Sequence, residues 1–165
     1  MQKLQHQLTD RVKFLHKVAI TRLAGANQEV LLLQRSSQAL SRPGAWDLPG
    51  GNSEWPAAEQ GSAADLHQAD IVREIREETA LTAPANLLTL DHLIYFSSYY
   101  DADKQIYTII CGWHLSWSDT DQRDIQISAE HQQLAWVKLD QLDNYDFAGD
   151  KGQFVKSIAQ RALQQ

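Results

Sequence analysis

The residues of this chain best suited to chemistry are Arg73-Glu74-Ile75-Arg76-Glu77-Glu78. At about 100° per helical residue, Glu74, Glu77 and Glu78 fall on one stripe, while Gln68, Val72, Ile75 and Thr79 cluster away from it. Like charges at this spacing cost about a few tenths of a kcal/mol per pair unless cations intervene. Two readings stand side by side. One is a solvated acidic helix face, stitched by Arg73 to Glu77. The other is a site for a hard divalent cation, because Mg²⁺, or Mn²⁺ in its place, takes oxygen ligands at about 2.0–2.1 Å and combines carboxylates with phosphates and waters.

A helix must hold that stripe, and the residues from Ser62 to Ala80 contain no Pro or Gly, so a helix is predicted there. Ser62 followed by Asp65 makes a capping box at its start, and Ala83-Pro84-Ala85 closes the region. Around it the pattern is β-rich. Strands are predicted at Lys13 to Leu23, at Glu29 to Arg35, at Ala45 to Leu48, within Leu87 to Tyr100 and Gln105 to Trp117, and at Gln133 to Leu139. The continuous apolar run of the second strand implies burial on both faces. Asp101-Ala102-Asp103-Lys104 is turn chemistry for an antiparallel hairpin, and Lys151 to Leu163 forms a loose amphipathic helix. The fold class is therefore α/β, with a mixed sheet between helices.

Composition bounds the function. With 165 residues, 43% apolar and 22% charged, the chain is expected to be a single globular domain spanning residues 1–165. A formal charge of −6 disfavours long nucleic acid, which needs basic patches, but allows a small phosphorylated ligand if a divalent cation accompanies it. Cys111 is the single cysteine, so no internal disulfide forms, and it reads as a small buried hydrophobe. The polar start lacks a signal-peptide pattern and no apolar run approaches the ~18 residues of a membrane span, so a cytoplasmic location is expected.

The motifs resemble those of the Nudix hydrolases, whose box runs G-x5-E-x7-R-E-U-x-E-E-x-G-U, where U is aliphatic. Residues 73–81 match its second half at every specified position except Ala80, and the box as a whole covers about residues 51–81. Ala45-Trp46-Asp47-Leu48-Pro49-Gly50-Gly51 is similar to the W-x-L-P-G-G entry, and Glu54 to the acid that often follows. Val30 to Arg35 and Ala135 to Leu142 resemble the family's second strand and its late W-V-x-L-D-x-L element. There are three departures. Eight extra residues around Trp55 to Gly61 break the G-x5-E spacing, Asp65 replaces a glutamate, and Ala80 replaces the glycine that ends the helix. Asp65 then has two competing roles, helix cap or metal ligand.

The resemblance implies a Nudix-type α-β-α sandwich and Mg²⁺-dependent hydrolysis of a diphosphate bond in a nucleotide-like small molecule. It implies that Glu74, Glu77 and Glu78 hold Mg²⁺ or Mn²⁺ and that Arg73 braces a glutamate. Glu130 sits where the family often keeps a proton acceptor, with His131 the weaker choice. Arg35, Arg42, Gly50 and Gly51 are the expected substrate contacts, and Phe96, Tyr99 and Tyr100 offer faces for a base. A homodimer is compatible with this reading; a membrane partner is not expected. A sensing or binding module on the same fold would do without cleavage, and an isomerase of prenyl diphosphates would need Cys111 in the pocket. The presence of all three glutamates favours the hydrolase.

Overall fold

The computed structural model describes residues 11–54, 66–118 and 125–165. Among them are six strands, β1 (Val12–Ala24), β2 (Asn27–Arg35), β3 (Trp46–Asp47), β4 (Leu93–Asp101), β5 (Ile106–Ser116) and β6 (His131–Val137), and two α-helices, α1 (Gln68–Thr79) and α2 (Gln153–Ala162). The sheet order is β3-β2-β1-β5-β4, with β6 on the other side of β2. β1 runs parallel to β5 while the other pairings are antiparallel, so the sheet is mixed, as the β-rich pattern predicts.

Side chains alternate between the two faces of the sheet, and each face carries a helix. Along β1, Val18 and Ile20 pack with Ile71 and Ile75 of α1, whereas Ala19 packs with Val155, Ile158 and Ala159 of α2. Along β2, Leu31 and Leu33 join the first cluster and Val30 and Leu32 the second, which is why that run is apolar without interruption. No helix among the described residues is long and apolar enough to cross a membrane.

Helix α1 starts later than the expected Ser62. His67 is left-handed, φ 58°, which stops a right-handed helix from extending through it, and the first helical residue is Gln68. Ser62 and Asp65, the predicted capping box, lie outside the described residues. At the other end Ala80 adopts the left-handed closure a glycine would take, φ 60°, its N–H donating to Arg76 O at 2.9 Å. The departure from the family glycine therefore costs roughly 1 kcal/mol of backbone strain without altering how the helix ends. The strand expected from Leu87 begins only at Leu93, after two short 3₁₀ turns, Ala85–Leu87 and Leu90–His92.

Candidate active site

Strands β1 and β2 stay paired only from Thr21 opposite Val30 to Ala24 opposite Asn27. Beyond that point segment 46–53 takes up their free edges. Trp46 and Asp47 pair with Gln34 and Leu33 of β2, and the chain then follows β1. Val18 N–H donates to Pro49 O (2.8 Å), His16 N–H to Gly51 O (2.9 Å) and Ser53 N–H to Phe14 O (3.0 Å). A Cβ at Gly50, whose φ is 127°, would run into the His16 carbonyl oxygen. The Pro-Gly-Gly punctuation is thus a strap laid against β1.

The strap meets α1 at two carboxylates. Gly50 N–H donates to Glu78 Oε2 at 2.8 Å, and Gly51 lies directly on the carboxylate of Glu74. The three helix glutamates, equivalent on a helical projection, are not equivalent in the fold. Glu78 is buried, Glu74 is largely covered, and Glu77 is half exposed. Burial pushes the Glu78 carboxyl up to about 7, with Asp47 and Glu74 pushing the same way and Lys17 and the Gly50 N–H opposing. Burial and then Glu77 raise Glu74, against the pull of Arg73. Arg73 is the cation of the cluster, 3.0 Å from both Glu74 and Glu77 and 3.4 Å from Glu54. As they stand, no three His, Cys, Asp or Glu side chains among the described residues converge tightly enough to hold an ion. The donor set still fits a hard divalent cation: it consists of carboxylates, Glu77 raising the proton affinity of Glu74 and Glu74 that of the buried Glu78, and a shared cation relieves that cost.

Because Gly51 has no side chain, Glu74 can rest against it. A Cβ there would lie 2.6–2.7 Å from the Glu74 carboxylate, and the flexible end of that side chain would have to move. Gly51→Ala should therefore leave the melting temperature within about 2 °C of the parent, since only a side-chain tip is displaced, yet lower turnover by roughly tenfold or more. Unchanged turnover would show that the position of Glu74 is immaterial.

Behind the strap lies a buried charge cluster that sequence reading missed. Asp47, fully buried, lies 3.1 Å from Lys17 Nζ, 2.6 Å from Arg42 Nη2 and 3.4 Å from Arg35 Nη1, and Asp47 Oδ1 accepts the Leu48 N–H at 2.8 Å. Burial pushes the Asp47 carboxyl up, but Lys17 and Arg42 outweigh it and hold the group below its ordinary range. Both arginines expected to face phosphate thus converge on this carboxylate. Arg42 also lies over the Phe154 ring at 5.3 Å, and its buried Nη1 has no hydrogen-bond acceptor among the described residues. The clue in the sequence was a lysine beside the apolar run Val18-Ala19-Ile20, where a charge needs a partner.

Of the two proton acceptors considered, Glu130 is exposed and its backbone carbonyl takes the Ser36 N–H at 2.8 Å. His131 is buried, its Nε2 3.8 Å from Glu78 Oε1, too far for a hydrogen bond, and burial lowers its proton affinity. Cys111 is buried in β5 and burial raises its thiol, as suits a packed hydrophobe. Phe96, Tyr99 and Tyr100 are exposed on β4, the edge strand at the opposite end of the order from β3. Beside the strap, His16 accepts from Trp113 Nε1 at 3.0 Å through Nδ1 and contacts Ser53 Oγ at 2.8 Å through Nε2, which places its proton on Nε2.

Comparison with solved structures shows the same architecture elsewhere. The NUDIX domain of Shewanella oneidensis NrtR complexed with ADP ribose superposes with a TM-score of 0.63 at 18% identity, covering 94% of this chain and 90% of that one. A MutT protein from Methanosarcina mazei gives 0.62 at 20% identity, covering 96% and 97%. A C. elegans Ap4A hydrolase in a binary complex gives 0.59 at 20% identity, covering 88% and 94%. No curated protein sequence matches this chain. The family model described as the NUDIX domain matches residues 14–158, a span that takes in the strap, the carboxylate helix and both faces of the sheet, and the chain accordingly belongs to the Nudix hydrolase family.

Proposed function

We propose that this protein hydrolyses the diphosphate bond of a nucleoside diphosphate linked to another moiety, with Mg²⁺, or Mn²⁺ in its place, held by Glu74, Glu77 and Glu78. One observation carries the reading: the buried Glu78 accepts the Gly50 N–H while the covered Glu74 rests against Gly51 of the same strap, an arrangement of carboxylates that a divalent cation would relieve. When bound, such an ion neutralises phosphate charge and acidifies water. Arg73, braced between Glu54, Glu74 and Glu77, orients the carboxylates by charge-assisted hydrogen bonds. Gly50 and Gly51, whose missing side chains let the strap lie against β1 and Glu74, place the proposed substrate contacts of this segment beside those carboxylates. Arg35 and Arg42 supply positive charge beside the strap, and Glu130 takes the proton of the attacking water.

The solved relatives carrying ADP ribose and named for Ap4A support a substrate in which two nucleotide-like halves, or a nucleotide and a sugar, share a phosphoanhydride. The NrtR likeness also supports the second reading, a domain that binds such a ligand without cleaving it. A panel of nucleoside triphosphates, sugar nucleotides, dinucleoside polyphosphates and nicotinamide dinucleotides, scored for phosphate or diphosphate release, separates the two. The expected result is turnover of one class with Mg²⁺ that vanishes in excess EDTA. Turnover undiminished by EDTA refutes the metal assignment, and tight binding without cleavage establishes the sensor.

A further inference from the structure

A strap of this kind exposes carbonyls on both sides, and only one side can be served by the backbone of β1. Pro49 O and Gly51 O are taken by the amides of Val18 and His16. Leu48 O and Gly50 O, which alternate with them, are taken instead by one side chain: Lys17 Nζ donates to Leu48 O at 3.0 Å and to Gly50 O at 2.9 Å. The same ammonium lies 3.1 Å from Asp47 Oδ2. An ammonium carries three donors, and here all three are aimed at acceptors within residues 47–50. Lys17 is only 3% exposed, a placement lysine almost never takes unless paired.

Gly50 links this lysine to the proposed reaction site through the two peptide units that meet at its Cα. Its C=O is held by Lys17 and its N–H is held by Glu78. We propose that Lys17 is a positioning residue: its buried ammonium fixes the Leu48 and Gly50 carbonyls, and with them the peptides on either side of the Pro49–Gly50 unit whose N–H meets Glu78, and so sets where the strap presents itself to Glu78 and Glu74. An apolar side chain at position 17 would leave Leu48 O and Gly50 O without their donor and free the peptides on either side of the Pro49–Gly50 unit to rotate, loosening the Gly50 N–H on Glu78 and the placement of Gly51 against Glu74. Asp47 would keep Arg42 at 2.6 Å and the Leu48 N–H, so part of the cluster would survive. The loss is thus local to the strap.

The test uses Lys17→Met, which keeps length without charge or donors, and Lys17→Gln, which keeps donors without charge. Amide hydrogen exchange is read in metal-free protein, and turnover, where the hydrolase reading on which this arm rests holds, is read against Mg²⁺ and substrate concentration. In Lys17→Met the Gly50 amide should exchange at least ~10-fold faster while Leu31 and Leu32 amides keep parent rates. In the same variant kcat should fall ~30-fold or more and the Mg²⁺ concentration for half-maximal rate should rise, with substrate KM within about threefold. Gln should lie between Met and the parent. Parent exchange at Gly50, or local loosening with parent kcat, overturns the proposal. Faster exchange at Leu31 and Leu32 as well, or failure of both variants to fold, makes Lys17 a general fold element and also overturns it. A parent without turnover on any panel member refutes the hydrolase reading alone, because the exchange experiment still decides whether Lys17 holds the strap.

Discussion

Glu78→Gln should cost turnover and yield stability, with both effects large. Turnover is expected to fall about 10²–10³-fold, the size seen when one preorganised electrostatic contact to a reacting group is removed. The gain in stability follows from the carboxyl's raised proton affinity. Glu78 titrates near pH 7 in the fold, against 4.5 in its absence, because burial penalises the charge. A raised group contributes stability that is complete below its unfolded pKa and lost as pH rises through the folded value. Glutamine is neutral at every pH and its amide oxygen can still accept the Gly50 N–H.

In chelator, the difference in unfolding free energy between Glu78→Gln and the parent should therefore widen in favour of glutamine by roughly 3 kcal/mol between pH 4.5 and pH 8. Comparing the two proteins cancels groups remote from Glu78; His131, 3.8 Å away, contributes with the opposite sign, because burial lowers its proton affinity and its stabilising effect is lost as pH falls. Denaturant titrations in EDTA at several pH values measure it. A gap that does not change with pH would mean Glu78 is ionised freely in the fold, and parent-like turnover would remove it from the reaction.

Asp47→Asn should damage the fold severely. Asp47 is the anion around which Lys17, Arg35 and Arg42 gather, and asparagine leaves those cations facing each other in a buried space. Breaking a buried ion cluster from one side typically costs about 3–5 kcal/mol, because the remaining charge is left uncompensated. In a chain of this size that amounts to a fall in melting temperature of roughly 10 °C. The sign with pH is opposite to that of Glu78. The depressed Asp47 carboxyl stabilises the fold above its unfolded pKa and the contribution is lost as pH falls through the folded value. The parent should thus approach the variant's stability in strong acid. Thermal melts at pH 7 and in strong acid check both statements, and a shift of less than about 3 °C at pH 7 would show that the arginines find other partners.

What the sequence determined by itself was whatever depends on neighbours along the chain. The stretch without Pro or Gly identified α1, the 3.6-residue period put its glutamates on one stripe, the apolar run of β2 announced burial on both faces, and Pro49-Gly50-Gly51 marked a segment of unusual backbone. The start of α1 was misread because neither the absence of breakers nor a capping pair reveals a left-handed residue at His67. Tertiary structure decided the rest. That Glu78 is buried while Glu77, its neighbour, is half exposed depends on which side of the helix the strap covers. That Lys17, Arg35, Arg42 and Asp47 form one cluster depends on β1 and β2 parting after a few paired residues, so that segment 46–53 enters beside them. Charge is readable one residue at a time, but its partner and its burial, which set proton affinity and cost, exist only once distant segments are packed together.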